Sequence, residues 1–480
     1  MQYLTTTTTT GKEIVFEREP ITAGGEKVVF FTRDHKQVVG FFYGKLDDPR
    51  ERRNRLERIV NDYNPTLEGS QAEYWKKHFC WPVDIVQGER GIPPEFIQRH
   101  HLIRPMLGVV CPAYRPNFFF RDRTGNIREK KGRWFTGEKS RKLLPADEKG
   151  DFLRYLQCCS VMASAVRRLH FAGLAHSDLS HNNVLIDPKH GDACVIDIDS
   201  LVVPGLAPPS VMGTPGYIAP EVITGKGLPS IETDLHALAV LMYETLLLRH
   251  PLQGPKIHSQ RPEQDELLSM GEGALYIEHP EDTSNRLKKP PTVPAWRMGP
   301  YLDALFQKTF VTGLHKPKRR ASASEWEKCL TKTLDLIHPS PSGNQWFVLT
   351  RDMPMSCPYT NAPITKPVPI MDFYRDKGGG AYSDEQQSIT IWHNRYLYKW
   401  HASSKLSPID CDRTPIAYFS FYQDKWWIVN QSGEDMVIVN DQDYLRQGTA
   451  AELTPGLQIL LSAEDGGRLG IVSFLDPKGG

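Results

Sequence analysis

Residues 166–221 read VRRLHFAGLAHSDLSHNNVLIDPKHGDACVIDIDSLVVPGLAPPSVMGTPGYIAPE. A long amphipathic helix pattern over 147–172 leads into this stretch, with apolar positions at Phe152, Leu156, Met162, Val166 and Leu169. The helix delivers the chain into a loop, His176-Ser177-Asp178-Leu179-Ser180-His181-Asn182-Asn183. A short apolar run, 184–186, follows. After a turn a second run, 193–196, ends on Asp197-Ile198-Asp199. Two loops beside β-like runs thus offer Asp178, Asn183 and Asp197. Phosphoryl transfer calls for that set: one carboxylate to orient an attacking hydroxyl, and an amide and a second carboxylate to hold Mg²⁺ on nucleotide phosphates.

His-x-Asp, four residues, Asn, then Asp in an apolar frame, then Gly213-Thr214-Pro215-Gly216-Tyr217-Ile218-Ala219-Pro220-Glu221 resembles the catalytic core of a eukaryotic-type protein kinase. The resemblance implies a bilobal kinase fold that uses ATP with Mg²⁺, Mn²⁺ being an alternative ion. It gives Asp178 the substrate hydroxyl, and Asn183 and Asp197 the metal. Residues 213–221 are similar to the family's peptide-docking segment. Asp234 matches the aspartate that braces the catalytic loop, and Arg320, in Pro317-Lys318-Arg319-Arg320, matches the arginine that pairs with Glu221.

The 480 residues suffice for two or three domains. With 40% apolar and 24% charged residues the composition is that of a soluble globular protein, and a net charge of +1 gives no bias toward nucleic acid or a membrane. The eight cysteines form no Cys-x-x-Cys pair, so neither a zinc ribbon nor a disulfide framework is expected, and reduced thiols in a cytoplasm are. The apolar window 235–248 holds His236 and Glu244 and is too short to span a bilayer, so it reads as a buried helix. No signal peptide opens the chain. The threonine run 5–10 reads as a frayed terminus.

Before the catalytic stretch, strand-like runs at 14–16, 28–31 and 38–43 alternate with turns. Set against a kinase glycine-rich loop, residues 21–30 keep only the middle glycine, Gly24, beside Gly25. Thr22 and Lys27 stand where the outer glycines would be. Gly24 and Gly25 are the candidates to cover the nucleotide phosphates. The kinase resemblance also asks for a lysine on the third strand. Lys45 follows the 38–43 run and is the candidate, with Lys36, in the turn, second to it. Glu57, on the Arg- and Glu-rich helix 49–61, is the candidate partner of that lysine, and Glu51 the alternative. The basic stretch 121–145 reads as a solvated, exposed insertion.

Three departures from the family pattern matter. Ser177 replaces the arginine before the catalytic aspartate, so phosphorylation of Ser210 or Thr214 is not expected to be required. Ser180 replaces a lysine that contacts the γ-phosphate, which implies slow turnover. Asp197-Ile198-Asp199 replaces Asp-Phe-Gly, keeping the metal ligand and losing the hinge glycine.

Residues 305–313, with Trp81-Pro82 and Glu325-Trp326, are similar to bacterial kinases encoded beside a metal-dependent phosphatase and a von Willebrand A-type protein, the TerY triad of tellurite-resistance-like clusters. That likeness makes such proteins expected partners, besides protein substrates. Residues 338–344 read as a linker. Beyond them short β-rich runs separated by turns predict a β-sandwich. Trp426-Trp427-Ile428-Val429 and 453–461 resemble the second half of a forkhead-associated domain. Such domains read phosphothreonine through an arginine and a Ser-x-x-His. Here Arg395 and His401 are merely nearby.

The expected fold class is therefore α+β: a bilobal protein-kinase fold followed by an all-β, forkhead-associated-like sandwich. The expected domains are a kinase N-lobe at 11–112, a C-lobe at 113–337, a linker at 338–345 and the interaction domain at 346–480. The expected function is a cytoplasmic, ATP- and Mg²⁺-dependent Ser/Thr protein kinase that also phosphorylates itself. A pseudokinase scaffold and a small-molecule kinase are the competing readings. Retention of all of Asp178, Asn183 and Asp197 speaks against the first, and the docking segment with Arg320 against the second.

Overall fold

A computed structural model describes residues 3–44, 48–209, 213–343, 345–408 and 411–477. The chain forms two compact units. The first comprises Met1–Gly150, Gln157–Lys288 and Phe306–Glu325; the second comprises Asp151–Leu156, Lys289–Leu305 and Trp326–Gly480.

The first unit opens with a hairpin of β1 (Tyr3–Thr7) and β2 (Glu13–Glu17). The first half of the threonine run expected to fray, Thr5 to Thr7, lies in this strand, so the ordered fold begins before residue 11. β-branched threonine suits a pleated strand. Thr6 is buried, and Thr10 donates to Asp84 at 2.5 Å. Next come β3 (Thr22–Ala23), β4 (Lys27–Phe31), β5 (Gln37–Phe42), α1 (Pro49–Glu57), α2 (Ala72–His78), β6 (Asp84–Gln87), α3 (Pro94–Arg99) and β7 (Leu107–Pro112). Five of them make an antiparallel sheet in the order β3-β4-β5-β7-β6.

The two faces of that sheet alternate as strand geometry requires. One face buries Val28, Phe30, Val39, Phe41 and Val110 against Phe16 and Phe96, whose rings lie 5.3–6.4 Å from those of Phe30 and Phe41. The other turns Lys27, Val29, Val38 and Gly40 toward a cleft. Asp48 caps α1 by accepting from the N–H groups of Arg50 and Glu51, with Pro49 at the first helical position.

The rest of the unit holds β8 (Phe119–Arg121), β9 (Ile127–Glu129), α4 (Glu138–Leu143), α5 (Phe152–Phe171), β10 (Val184–Asp187), β11 (Asp192–Val195), α6 (Pro220–Ile223), α7 (Ile231–Leu247), α8 (Pro262–Met270) and the end of α9 (Pro300–Gln307). The stretch expected as a solvated insertion is partly built into the fold. Lys130 is 2% exposed and pairs with Asp187 at 2.9 Å and with Glu148. Gly132 lies so close to the carbonyl of His181 that a Cβ there would sit 2.8 Å from it. α7 is apolar nearly all round and is the buried helix the sequence predicts. Its Ser230 and Thr233 form a reciprocal cap, and Tyr243 stacks edge-on against Tyr276, Phe306 and Phe310.

The second unit is built on α10 (Ala323–Asp335), β12 (Ile337–Pro339), β13 (Trp346–Val348), β14 (Val368–Asp376), β15 (Tyr382–Thr390), β16 (Tyr396–Tyr398), α11 (Lys399–Ala402), β17 (Pro415–Tyr422), β18 (Lys425–Asn430), β19 (Met436–Ile438), β20 (Asp443–Leu445), β21 (Ala450–Glu452), β22 (Gln458–Leu460) and β23 (Arg468–Leu475). A six-stranded sheet, β15-β14-β23-β22-β19-β20, and a four-stranded sheet, β16-β17-β18-β21, are antiparallel throughout. Met371, Phe373, Ile459 and Val472 from the first share one core with Leu397, Phe419 and Ile428 from the second. That is the packing of an all-β sandwich.

Two expectations change here. The expected linker is the tip of a hairpin, because β12 pairs with β13 from Ile337↔Val348 to Pro339↔Trp346. Arg395 and His401 both turn inward onto Asp335, each at 3.1 Å. His401 is fully buried, and Gln387 adds a third bond to the same carboxylate. Burial would raise the Asp335 carboxyl, and the bonds from His401, Arg395 and Gln387 outweigh it and hold it below the usual range. This is an internal tie between α10 and the sandwich, with neither side chain turned out toward a phosphate.

Candidate active site

The loop between α5 and β10 is held from below. Asp234, near the start of α7, accepts from the backbone N–H groups of His176 and Ser177 at 2.6 and 3.2 Å. The imidazole of His176 lies 2.8 Å from the carbonyl of Ile196, and Ser177 donates its hydroxyl to the carbonyl of Ser200 at 2.8 Å. Ser177 therefore ties the loop to the Asp197 loop by a neutral bond and offers no cation to a phosphate.

Asp178 and Asn183 are together. The Asn183 amide donates to Asp178 Oδ2 at 2.9 Å and to the Asp178 carbonyl at 2.8 Å. The N–H of Thr214 donates to Asp178 Oδ1 at 2.7 Å. Ser180 is fully buried, and Thr214 donates its hydroxyl to it at 3.0 Å. A serine fits that closed space; a lysine would not stay inside it.

Asp197 sits at the end of the short β-like run with φ +64°, a left-handed conformation that aspartate tolerates better than most residues. Its Oδ1 lies 2.6 Å from Lys27 Nζ, and Asp199 Oδ2 is also 2.6 Å from that ammonium. Burial alone would lower the pKa of Lys27. The two carboxylates win and push it well above the ordinary lysine value. Lys27 in turn holds Asp197 well below the usual carboxylate range, while burial outweighs Lys27 at Asp199 and raises it.

Lys27 is the cation that sequence reasoning missed. The lysine was expected after the third strand, at Lys45, which lies outside the described residues. The cleft side of that strand, β5, presents Val38 and Gly40, and the ammonium comes from β4 next door. Gly40 lies beside the Lys27 stem: a Cβ there would meet it at 3.6 Å, an ordinary contact, while a longer side chain would cross its path. The missed signals were a lysine in the place of the third glycine and a glycine inside an apolar strand, where close approach of another group is the usual reason.

Glu57 does not pair with Lys27. Its carboxylate takes the Arg53 guanidinium at 2.8 Å, one turn back on α1, and is 42% exposed. Glu51 is exposed as well. The buried face of α1 carries Arg52 and Arg55 instead. Arg52 donates to Ser200 Oγ at 2.7 Å and pairs with Glu26 at 2.9 Å. Arg55 reaches the carbonyl of Ala207 at 2.5 Å.

Gly24 and Gly25 form the turn between β3 and β4 and line the same cleft as Asp178, Asn183, Asp197 and Lys27. The cleft holds about 710 Å³, enough for a nucleotide-sized ligand. Val29, Val38, Val109 and Cys111 give it an apolar wall away from the charged groups. At the far end of the segment that begins beside Thr214, Glu221 receives both arms of Arg320 at 2.7 Å, and Arg320 also donates to the carbonyls of Glu232, Gly313 and Leu314. That fork-to-fork pair fixes the base of the 213–221 segment. Tyr217 of the same segment lies between His181, at 2.9 Å, and Glu244.

A hard divalent cation fits these residues. Asp197 already faces a cation, the Lys27 ammonium, and Asp199 Oδ1 is a buried carboxylate oxygen with no hydrogen-bond partner among the described residues. Among the described residues no group of three or more His, Cys, Asp or Glu side chains could hold a metal alone. Asn183 and nucleotide phosphates would have to share the coordination with Asp197.

The family of the protein kinase domain matches residues 149–326. Residues 149–326 thus match a protein kinase domain, and serine/threonine-protein kinases are among the chain's relatives. The kinase domain is similar to stretches of a probable serine/threonine-protein kinase CCRP1 of Zea mays, at 35% identity over 106 residues, 20% of this chain and 16% of that one. It is similar to the serine/threonine-protein kinase PknD of Chlamydia muridarum, at 27% over 168 residues, 29% and 17% of the two chains. The DNA damage-responsive serine/threonine-protein kinase RqkA of Deinococcus radiodurans is 29% identical over 112 residues, 22% and 17% of the two. This chain spans less than a fifth of the length of each of these relatives. Among solved structures, the kinase domain of a Toxoplasma gondii rhoptry antigen is matched with a TM-score of 0.41 and 13% identity, over 69% of this chain and 86% of that one. A protein kinase domain implies ATP, a divalent ion and protein substrates in general terms. No helix among the described residues is long and apolar enough to cross a membrane.

Proposed function

We propose that the chain transfers the γ-phosphoryl group of ATP to serine and threonine hydroxyls of proteins, its own included. The observation that carries this reading is the convergence of Asp178, Asn183, Asp197 and Lys27 on one cleft that Thr214 of the braced 213–221 segment also lines. Asp178 orients the substrate hydroxyl and takes its proton late. Lys27 binds the phosphates in place of the expected strand-β5 lysine, and Gly24 and Gly25 cover them. Asp197 and Asn183 hold the divalent ion, taken as Mg²⁺, which neutralises charge developing on the phosphates. Catalysis by this set is positioning and charge neutralisation. Thr214 is bonded inward to Ser180 and Asp178, so its hydroxyl serves the fold of the cleft and its phosphorylation is not required for activity. Ser210, the other residue considered, lies outside the described residues.

The second unit is a partner-binding sandwich of forkhead-associated type. The two antiparallel sheets and the Trp426 to Val429 strand support that reading. It does not use Arg395 and His401 to read phosphothreonine, because both are committed to Asp335. A phosphatase and a von Willebrand A-type protein are the proposed partners, and the cytoplasm the proposed compartment.

The test is labelling with γ-³²P-ATP and Mg²⁺ of the purified chain and of an added protein substrate, beside Asp178→Asn and Asp197→Asn. Label on serine or threonine in the wild type, reduced about 10³-fold or more in both variants, is expected for loss of groups that act in the transition state. Nucleotide binding with no label in the wild type would favour a scaffold. Label on small metabolites and not on protein would favour a small-molecule kinase.

A further inference from the structure

A kinase lysine is useful only if it is held where the phosphates arrive, and an acidic side chain on the helix of the small lobe is the family's usual holder. Here that helix has no acid to give. Glu57 is turned to Arg53, Glu51 is exposed, and the buried face of α1 carries Arg52 and Arg55. The carboxylate that reaches Lys27 besides Asp197 comes from the metal loop itself. Asp199 is 2% exposed and lies 2.6 Å from Lys27 Nζ. The residue after it, Ser200, is fixed by Arg52. The charges are thus exchanged: acid on the loop, base on the helix.

We propose that Asp199 is the positioning residue of Lys27, standing in for a helix glutamate. This rests on the nucleotide site proposed above. Asp197 and Asp199 flank the same ammonium. When Asp197 turns to the divalent ion, Asp199 is the carboxylate left to hold Lys27 toward the phosphates. The lysine is then registered to the metal loop and not to α1. α1 reaches this pair only from beside it, through Arg52, which bonds Ser200 and Glu26.

The experiment measures ADP affinity by calorimetry, with and without Mg²⁺, and kcat and KM for ATP. The proteins are wild type, Asp199→Asn, Asp199→Glu, Lys27→Met, the Lys27→Met/Asp199→Asn double variant and Glu57→Gln. Removing one charged partner of a buried ion pair is expected to cost Asp199→Asn about 10- to 100-fold in ADP affinity and in kcat/KM. Asp199→Glu should recover most of that loss, and Glu57→Gln should stay within about twofold of wild type. In the Lys27→Met background Asp199→Asn should add little, since two residues acting through one contact are not additive. Additive losses, or wild-type affinity in Asp199→Asn while Lys27→Met is impaired, would overturn the proposal. So would a Glu57→Gln loss as large as that of Asp199→Asn. Affinity is read without turnover, so a wild type that binds ADP but transfers no phosphoryl group defeats the kinase reading and leaves this test intact. A wild type that binds no nucleotide defeats both.

Discussion

That Asp178, Asn183 and Asp197 would line one cleft was legible because their spacing sets them in adjacent loops. Lys27 was not, because its position is a tertiary fact. The phosphate-binding group needs only to end in the cleft, and either of two neighbouring strands can supply it. From β5 a lysine would stand where Gly40 is. From β4 it must cross the face of that glycine, and it does so with its stem 3.6 Å from where a Cβ would be. Lys27 and Gly40 are therefore a size-matched pair, a long side chain over an absent one. The backbone at Gly40 is ordinary strand, and the space in front of it takes a methyl group but not a long side chain. Gly40→Ala should be tolerated, with ADP affinity within about threefold of wild type, because its methyl would make ordinary van der Waals contacts. Gly40→Leu forces the Lys27 stem off its path, and overpacking of about 1–3 kcal/mol predicts roughly 5- to 100-fold weaker ADP binding. Titration calorimetry of both variants checks this. Equal affinity in wild type and Gly40→Leu would mean that Lys27 does not need that space.

At the level of elements, the sequence showed α7 as a buried helix but not what Glu244, near its end, does. Glu244 faces Tyr217, which faces His181, so α7, the docking segment and the catalytic loop meet at one chain of polar groups. Burial raises the Glu244 carboxyl from the ordinary 4.5 to about 7, and the Tyr217 hydrogen bond only partly opposes the rise. Such a group costs stability where the unfolded chain would ionise and the folded one resists. Below about pH 4.5 the acid is neutral in both states and costs nothing. Between pH 4.5 and 7 the penalty grows, and above 7 it is constant, at most about 3 kcal/mol. Glu244→Gln keeps an acceptor for Tyr217 and cannot ionise. The variant should match wild type near pH 4.5 and exceed it by about 1–3 kcal/mol at pH 8 in urea unfolding. A constant difference across that range would show that Glu244 is not the titrating group. The insertion at 121–145 misled for a related reason. Its basic composition fits a solvated loop, yet Lys130 finds two acids inside the fold, one of them 57 residues away in sequence. Composition does not reveal such partners.

On the scale of the whole molecule, the turn-rich stretch after residue 337 suggested an independent domain beginning near 346. The sheets are where the β-rich runs placed them, but the unit they belong to is not continuous in sequence. Residues 289–305 are part of it. Tyr301 donates its hydroxyl to the carbonyl of Gln386 at 2.6 Å, and Arg297 donates to the carbonyl of Ser356 at 2.7 Å. Gly299, with φ +97°, lies so close to Val348 that a Cβ would come within 2.9 Å of it. On α10, Asp335 is buried among Arg395, His401 and Gln387. A chain cut after residue 337 would keep 289–305 and α10 while losing every one of these partners. Asp335 would lose Arg395, His401 and Gln387, and apolar surface that packs on β13 would be bared. Breaking a buried ion pair by removing one side alone costs about 3–5 kcal/mol, a large share of the 5–15 kcal/mol that holds a typical domain. The truncated chain is therefore expected to be cleaved by trypsin within 289–337 at least tenfold faster than the full chain, and to unfold at a lower temperature. Equal protease resistance of the two would show that the kinase domain ends where the sequence alone placed its boundary.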